Sequence, residues 1–276
     1  MVSPRHLLAV LAVLALALAL SCLAPVARAA PPSVFLEELT WTELRDAIRG
    51  GATTVIVPVG GTEQNGPHMA LGKHNLRVRL LGGKIAAALG NTVVAPVLAY
   101  VPEGSISPPS AHMRFAGTIT ISDEAFRATL DSAARSFKLH GFKDVVFIGD
   151  HGGYQSQMKA VAAKLNRDWA ATPARAHFIA EYYRAAQEGF AALLRKKALT
   201  EAQIGVHAGS ADTALMLALD PTMVRADQLA RAARDGPAGG AAGDPQAATA
   251  ALGQEGIDLI VAQTVAAIRS AVAERR

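Results

Sequence analysis

Beyond residue 30 this sequence contains no cysteine. Its single thiol, Cys22, lies in an N-terminal stretch that reads as a leader. A chain lacking cysteine there has no disulfide, no thiol nucleophile and no thiolate-held zinc. Aromatic residues are sparse, at 5% of the chain. No H-E-x-x-H or H-x-H pairing occurs, so no short histidine motif announces a metal. G-x-S-x-G is missing, which removes the usual nucleophile turn of a serine hydrolase. Gly149-Asp150-His151-Gly152-Gly153 lacks the lysine of a phosphate-binding loop. Basic residues never interleave with aromatics, and Arg195-Lys196-Lys197 is the densest basic group. The formal charge of +4 is therefore read as solvated helix faces, with no nucleic acid as partner.

The N-terminus has three parts. Arg5 and His6 are basic, Leu7 to Leu20 is an unbroken run of Leu, Ala and Val, and Ala27-Arg28-Ala29 offers an A-x-A cleavage site. That pattern is expected of a secretory signal peptide over 1–30. The apolar run falls short of the ~20 residues of a membrane span. Periplasmic or secreted localisation, without stable membrane association, is the expectation. An uncleaved anchor, or a lipoprotein using Cys22, is the alternative. Removing 1–30 of the 276 residues leaves 246, which suits one α/β domain over 31–276.

Strand-like and helix-like segments alternate, which predicts a layered α/β fold with a mostly parallel central sheet. Thr40-Trp41-Thr42-Glu43 is a capping box opening a helix. Residues 53–59 read as a strand buried on both faces. Asn75 is expected to cap a helix to about Leu89, with the next strand over 92–100. A helix over 123–140 carries Phe126, Leu130, Ala134 and Phe137 on one stripe. Further strands are expected at 143–148 and 174–180, and helices at 155–169, 211–219 and 247–274. Residues 234–246, rich in Gly, Ala and Pro, read as a mobile loop.

Parallel α/β sheets place ligands at the carboxyl ends of their strands. Polar clusters fall there at 60–75, 103–117 and 150–154, with His207 and Asp212 around the start of a later helix. Five of the seven histidines beyond the leader lie in these segments: His68, His74, His112, His151 and His207. His140 at a helix end and His177 in a strand read as structural. A carboxylate and imidazoles on strand-end loops suit zinc or iron, and the bland alternative is a polar loop with hydrogen-bonded histidines. Asp150-His151 could also serve a serine such as Ser105, Ser107, Ser110 or Ser210.

Four ordered segments resemble the creatininase family. Pro58 to His68 (PVGGTEQNGPH) resembles P-x-G-S-x-E-Q-H-G-P-H, and Phe115-Ala116-Gly117-Thr118-Ile119 resembles F-P-G-T-I. Ile148 to Gly153 resembles N-G-H-G-G-N, and His207 to Thr213 resembles H-A-G-E-x-E-T. The resemblance implies a layered α/β fold, a two-ion centre, amide hydrolysis and a homo-oligomer, often a hexamer. It matches Glu63 and His151 to metal ligands and His207 to proton transfer.

Three departures modify that expectation. Asn65 replaces a ligand histidine, His74 replaces the bridging aspartate, and Gly153 stands where creatininase has a glutamate. An imidazole nitrogen has one lone pair and cannot bridge two ions. The expectation is a divalent metal, zinc first with manganese or iron as alternatives, held by Glu63, His74 and His151. Either one ion is bound, or a pair is rebuilt with Asp150 or Asp212. His207 and Asp212 are the expected proton-transfer residues, and Asn65, His68 and His112 are expected to orient a small-molecule substrate. The expected reaction is hydrolysis of a cyclic or linear amide, with a lactonase or a non-catalytic binding protein as alternatives.

Overall fold

A computed structural model describes residues 31–274, so the leader expected over 1–30 lies outside them. Helix α1 (Trp41–Arg49) opens on Thr40, whose side chain accepts from Glu43 N while Glu43 caps the Thr40 amide, a complete capping box. Strand β1 (Thr54–Val59) follows, buried at every position. Next come α2 (Lys73–Leu89), β2 (Thr92–Val94), α3 (Asp123–Leu139), β3 (Asp144–Gly149), α4 (Gln155–Asp168) and β4 (Arg175–Phe178). The second half is helical: α5 (Ala180–Arg184) runs through a π turn into α6 (Phe190–Lys196), then α7 (Glu201–Ile204), α8 (Ser210–Leu219), α9 (Leu229–Asp235) and α10 (Ala250–Ala273).

The four strands form one parallel sheet in the order β2-β1-β3-β4. Because side chains alternate along a strand, the sheet feeds two cores. Ile56, Val146 and Ile148 face α2, α5, α6 and α10 through Val78, Leu81, Ile85, Phe190 and Ile260. Val55, Val57, Val145 and Phe147 face α3 and α4 through Phe126, Leu130, Met158 and Leu165. Burying each such side chain stabilises the fold by about 1.5–3 kcal/mol. The result is the expected α/β/α layering.

Three local expectations are corrected. β2 ends at Val94 rather than 100, because Pro96 has no N–H for a ladder; only an isolated bridge from Leu98 to Val59 continues the pairing. Helix α2 begins at Lys73 with Gly72 as cap, ahead of Asn75. The Asn75 side chain instead accepts from Gly61 N (2.9 Å) and donates to Thr62 Oγ1 (3.0 Å), holding the loop after β1. Residues 234–246 are tied down: Ala242 N donates to His207 O (2.8 Å) and Val206 N donates to Ala242 O (2.9 Å).

Candidate metal centre

The carboxyl ends of β1 and β3 are bound together by Tyr154. Its hydroxyl accepts from the amides of Asp150 (3.1 Å) and His151 (3.0 Å) and lies against the carbonyls of Val59 (2.8 Å) and Gly60 (2.6 Å). Glu63, from the loop after β1, thereby faces His151, from the loop after β3. Glu63 is fully buried and its two oxygens meet different worlds.

Oxygen Oε1 joins a paired network built by the start of α2. His74 Nε2 lies within hydrogen-bond distance of it (2.7 Å), and His74 Nδ1 within that of Asp150 Oδ2 (2.6 Å). Lys73 Nζ stands 3.7 Å from the same Glu63 oxygen and donates to Asp212 Oδ2 (3.1 Å). One turn on, Arg77 donates through Nε to Asp150 (2.8 Å) and through Nη1 to Asp212 (2.6 Å). Tyr182 donates to Asp150 Oδ1 (2.7 Å), and Ala208 N donates to Asp212 (2.9 Å). Burial opposes ionisation of Asp150 and Asp212, but Arg77 and His74 for the first, and Lys73 and Arg77 for the second, hold both below the usual carboxylate range. Lys73, Arg77 and the His74 ring thus tie Asp150, Asp212 and one oxygen of Glu63 into a buried cluster.

Oxygen Oε2 of Glu63 has no hydrogen-bond partner. It faces His112 Nε2 (3.3 Å) and His151 Nε2 (3.5 Å). Glu63, His112 and His151 offer ligand atoms within 4.8 Å of one another. Burial lowers His151 to about 4, reinforced by the His74 charge, and lowers His112 as well, so both rings are neutral at pH 7. Burial also opposes charge on Glu63, yet His74 and Lys73 outweigh it and keep the carboxyl ionised. One carboxylate and two neutral imidazoles around an unpaired buried oxygen fit a divalent ion. Glu103, after β2, completes the wall: both of its oxygens are buried without a donor, and Oε2 lies 3.5 Å from His151 Nδ1. Burial, together with the adjacent Glu63 charge, raises Glu103 to about 9. A cleft of about 620 Å³ opens beside it, lined by Glu103, His112, Ser122, Asp123 and His151.

The structure distributes the sequence-expected residues unevenly. It brings Glu63, His151, His112 and His207 together. His207 Nε2 donates to Gln64 O (2.9 Å), its Nδ1 is 3.6 Å from Glu63 Oε1, and its ring lies 4.5 Å from that of His112. His74 is placed differently from the ligand expectation: its two nitrogens are each engaged by a carboxylate, Nε2 by Glu63 and Nδ1 by Asp150. Asp150 and Asp212 likewise have their oxygens taken by Arg77, His74, Tyr182 and Lys73. Asn65 is buried and donates to the carbonyls of Glu63 (2.9 Å) and Ala70 (3.2 Å), closing the loop rather than facing the cleft. His68 is buried against Thr213 Oγ1 (3.1 Å). His177 pairs with Asp144 (2.9 Å).

Lys73, Arg77, Gln64 and Glu103 escaped sequence reasoning. Lys73 and Arg77 share a helix face at i, i+4 spacing, which usually marks a solvated face. Their burial was the only telling sign. The Gln64 side-chain amide meets His112 Nδ1 (3.0 Å) and orients that ring.

Residues 37–268 match the family described as creatinine amidohydrolase. The chain belongs to the creatininase family. It is 28% identical over 221 residues to the mycofactocin precursor peptide peptidase of Mycolicibacterium smegmatis, covering 72% of this chain and 78% of that one. It is 29% identical over 123 residues to the 3-dehydro-scyllo-inosose hydrolase of Thermotoga maritima, covering 44% of this chain and 37% of the relative. A 28% match to the creatinine amidohydrolase of Pseudomonas putida covers 46% and 47%. The chain thus spans less than half the length of the last two. Among solved structures, a creatinine amidohydrolase superposes with TM-score 0.71 at 22% identity, over 86% of this chain and 97% of the other. A creatininase described as the manganese form gives 0.70 at 23% identity, covering 86% and 98%. A variant described as Zn–Zn type gives 0.68 at 22%, covering 86% and 98%. These creatininase-family likenesses show the fold.

Proposed function

We propose that this creatininase-family chain is an exported hydrolase of amide C–N bonds, cyclic or linear, that works with one divalent metal ion. The observation that carries the reading is the unpaired Glu63 Oε2 converging with His112 and His151. The set differs from the sequence expectation by one ligand, His112 in place of His74. Relatives described as an amidohydrolase and as a peptidase support amide chemistry, and structures described by manganese and by zinc support a divalent ion, zinc first. The leader pattern alone supports export.

A divalent ion held there would activate water and polarise a carbonyl. The chain's residues do the rest. The 620 Å³ cleft admits a small substrate past His112 and His151. Gln64 holds His207 and His112 in register. Burial, then the Lys73 charge, lowers His207 to about 3. The ring is therefore neutral at pH 7, and its place beside Glu63 Oε1 (3.6 Å) is what suits it to proton transfer at the centre. A second ion has no carboxylate at Asp150 or Asp212, because α2 has already neutralised both.

Metal analysis of the purified protein, followed by screening of cyclic amides, lactones and formamides, tests this reading. One ion per chain with chelator-sensitive amide turnover is expected. Two tight ions per chain would sink the single-ion centre, and a loaded protein that turns over nothing would favour a binding role.

A further inference from the structure

Glu103 has no place in the reading above, yet it is the most anomalous side chain at the centre. It is 4% exposed, and neither of its oxygens finds a donor. Its carboxyl packs against that of Glu63, whose own Oε2 is also without a partner. Two buried carboxyls pressed together cannot both carry charge unaided: they hold one proton between them, and a shared cation can take that proton's place.

The backbone is arranged to keep Glu103 there. Glu103 N donates to Thr120 Oγ1 (3.0 Å), and Thr120 Oγ1 donates to Gly104 O (3.2 Å), pinning the loop after β2. Gly61 sits at φ +147, and a Cβ there would lie 2.6 Å from Glu103 Oε1. Only glycine leaves room for this carboxyl. Gly153 projects no side chain: a Cβ would point at the His151 ring (3.1 Å) and Pro102 O (3.6 Å). The space beside His151 is therefore open to the 102–104 loop.

We propose that Glu103 is a fourth protein ligand of the ion held by Glu63, His112 and His151, supplied by the loop after β2. This assignment rests on the metal reading above. The test is cobalt(II) titration of the full chain at neutral pH, followed by visible absorption, for wild type, Glu103→Gln and Glu103→Ala. Circular dichroism of each metal-free protein confirms folding, and Gln preserves the volume should Ala fail to fold. Loss of a ligand is expected to weaken cobalt binding by at least about 100-fold, beyond the 10–100-fold that outer partners cost. It should also shift the absorption bands at saturation. Equal affinity and equal bands in E103Q would overturn the assignment while leaving the three-ligand centre intact. Weaker binding with unchanged bands would also overturn it, because Glu103 would then act only through His151. Absence of tight cobalt binding in wild type would overturn both readings.

Discussion

The two oxygens of Glu63 divide the centre into a satisfied half and an unsatisfied half. On the Oε1 side, Lys73, His74 and Arg77 meet Glu63, Asp150 and Asp212, and every charge has a partner within hydrogen-bond or ion-pair distance. On the Oε2 side, the Glu63 and Glu103 carboxyls face each other beside two neutral imidazoles, with no cation among the described residues paired to them there. The same carboxylate is thus both a structural anchor and an open ligand. A saturated buried network specifies geometry, whereas an unsaturated one waits for something to bind. Residues of equal chemical promise, His74 and His151, receive opposite tasks from this division.

The largest expected break is on the paired side. Arg77→Met leaves Asp150 and Asp212 buried with too few cations, and should cost about 3–5 kcal/mol. Urea denaturation of the metal-free protein reads this, and a loss under about 1 kcal/mol would mean that the cluster is not a structural unit. His74→Gln should cost about 1–3 kcal/mol, because one buried carboxylate contact is weakened rather than a permanent charge removed.

Variants on the open side should reverse the pattern. His112→Ala and His151→Ala should each reduce metal affinity by at least about 100-fold, above the loss typical of outer partners. The stability of the metal-free protein should barely change. Equilibrium dialysis against a chelator, paired with the urea midpoint, separates the two effects. Should these variants unfold the protein while retaining the ion, the two halves would have to exchange roles.

Acidity probes both halves at once. His68 and His151 are lowered from 6.5 to about 4, chiefly by burial. Between those values the unfolded chain binds more protons than the folded one, so stability falls as pH drops from 6.5 towards 4. Metal retention should fall over the same window as His151 gains a proton. Glu103, raised from 4.5 to about 9, acts in the opposite sense: its contribution is lost as pH rises through that range. Because the two histidines outweigh the one carboxyl below 6.5 and, of the three, only Glu103 acts above it, thermal midpoints of the metal-free protein should peak near pH 6.5, and a flat profile would contradict this. The smallest effect is expected at the exposed Arg195–Glu201 pair, where Arg195→Ala should leave the midpoint within error.

Much of this was legible in the residues themselves. The continuous β-rich run at 53–59 marked a strand buried on both faces, and the alternation of strand-like and helix-like segments marked a mostly parallel sheet. Strand ends, glycines and histidines located the centre, since ligands gather where parallel strands stop. Exchange of the bridging acid for His74 already argued against an unaltered two-ion centre. Sequence could not assign partners, however. The i, i+4 spacing of Lys73 and Arg77 looks the same whether α2 faces water or a buried acid. Packing of α2 against Asp150 and Asp212 from distant loops decided that these cations point inward. Tertiary packing alone gave both nitrogens of His74 to carboxylates, carried His112 across from a loop 49 residues beyond Glu63, and turned Glu103 inward past Gly61. Periodicity and composition record how a segment meets its own neighbours. Which charge neutralises which depends on where distant loops converge, and only the folded chain settles that.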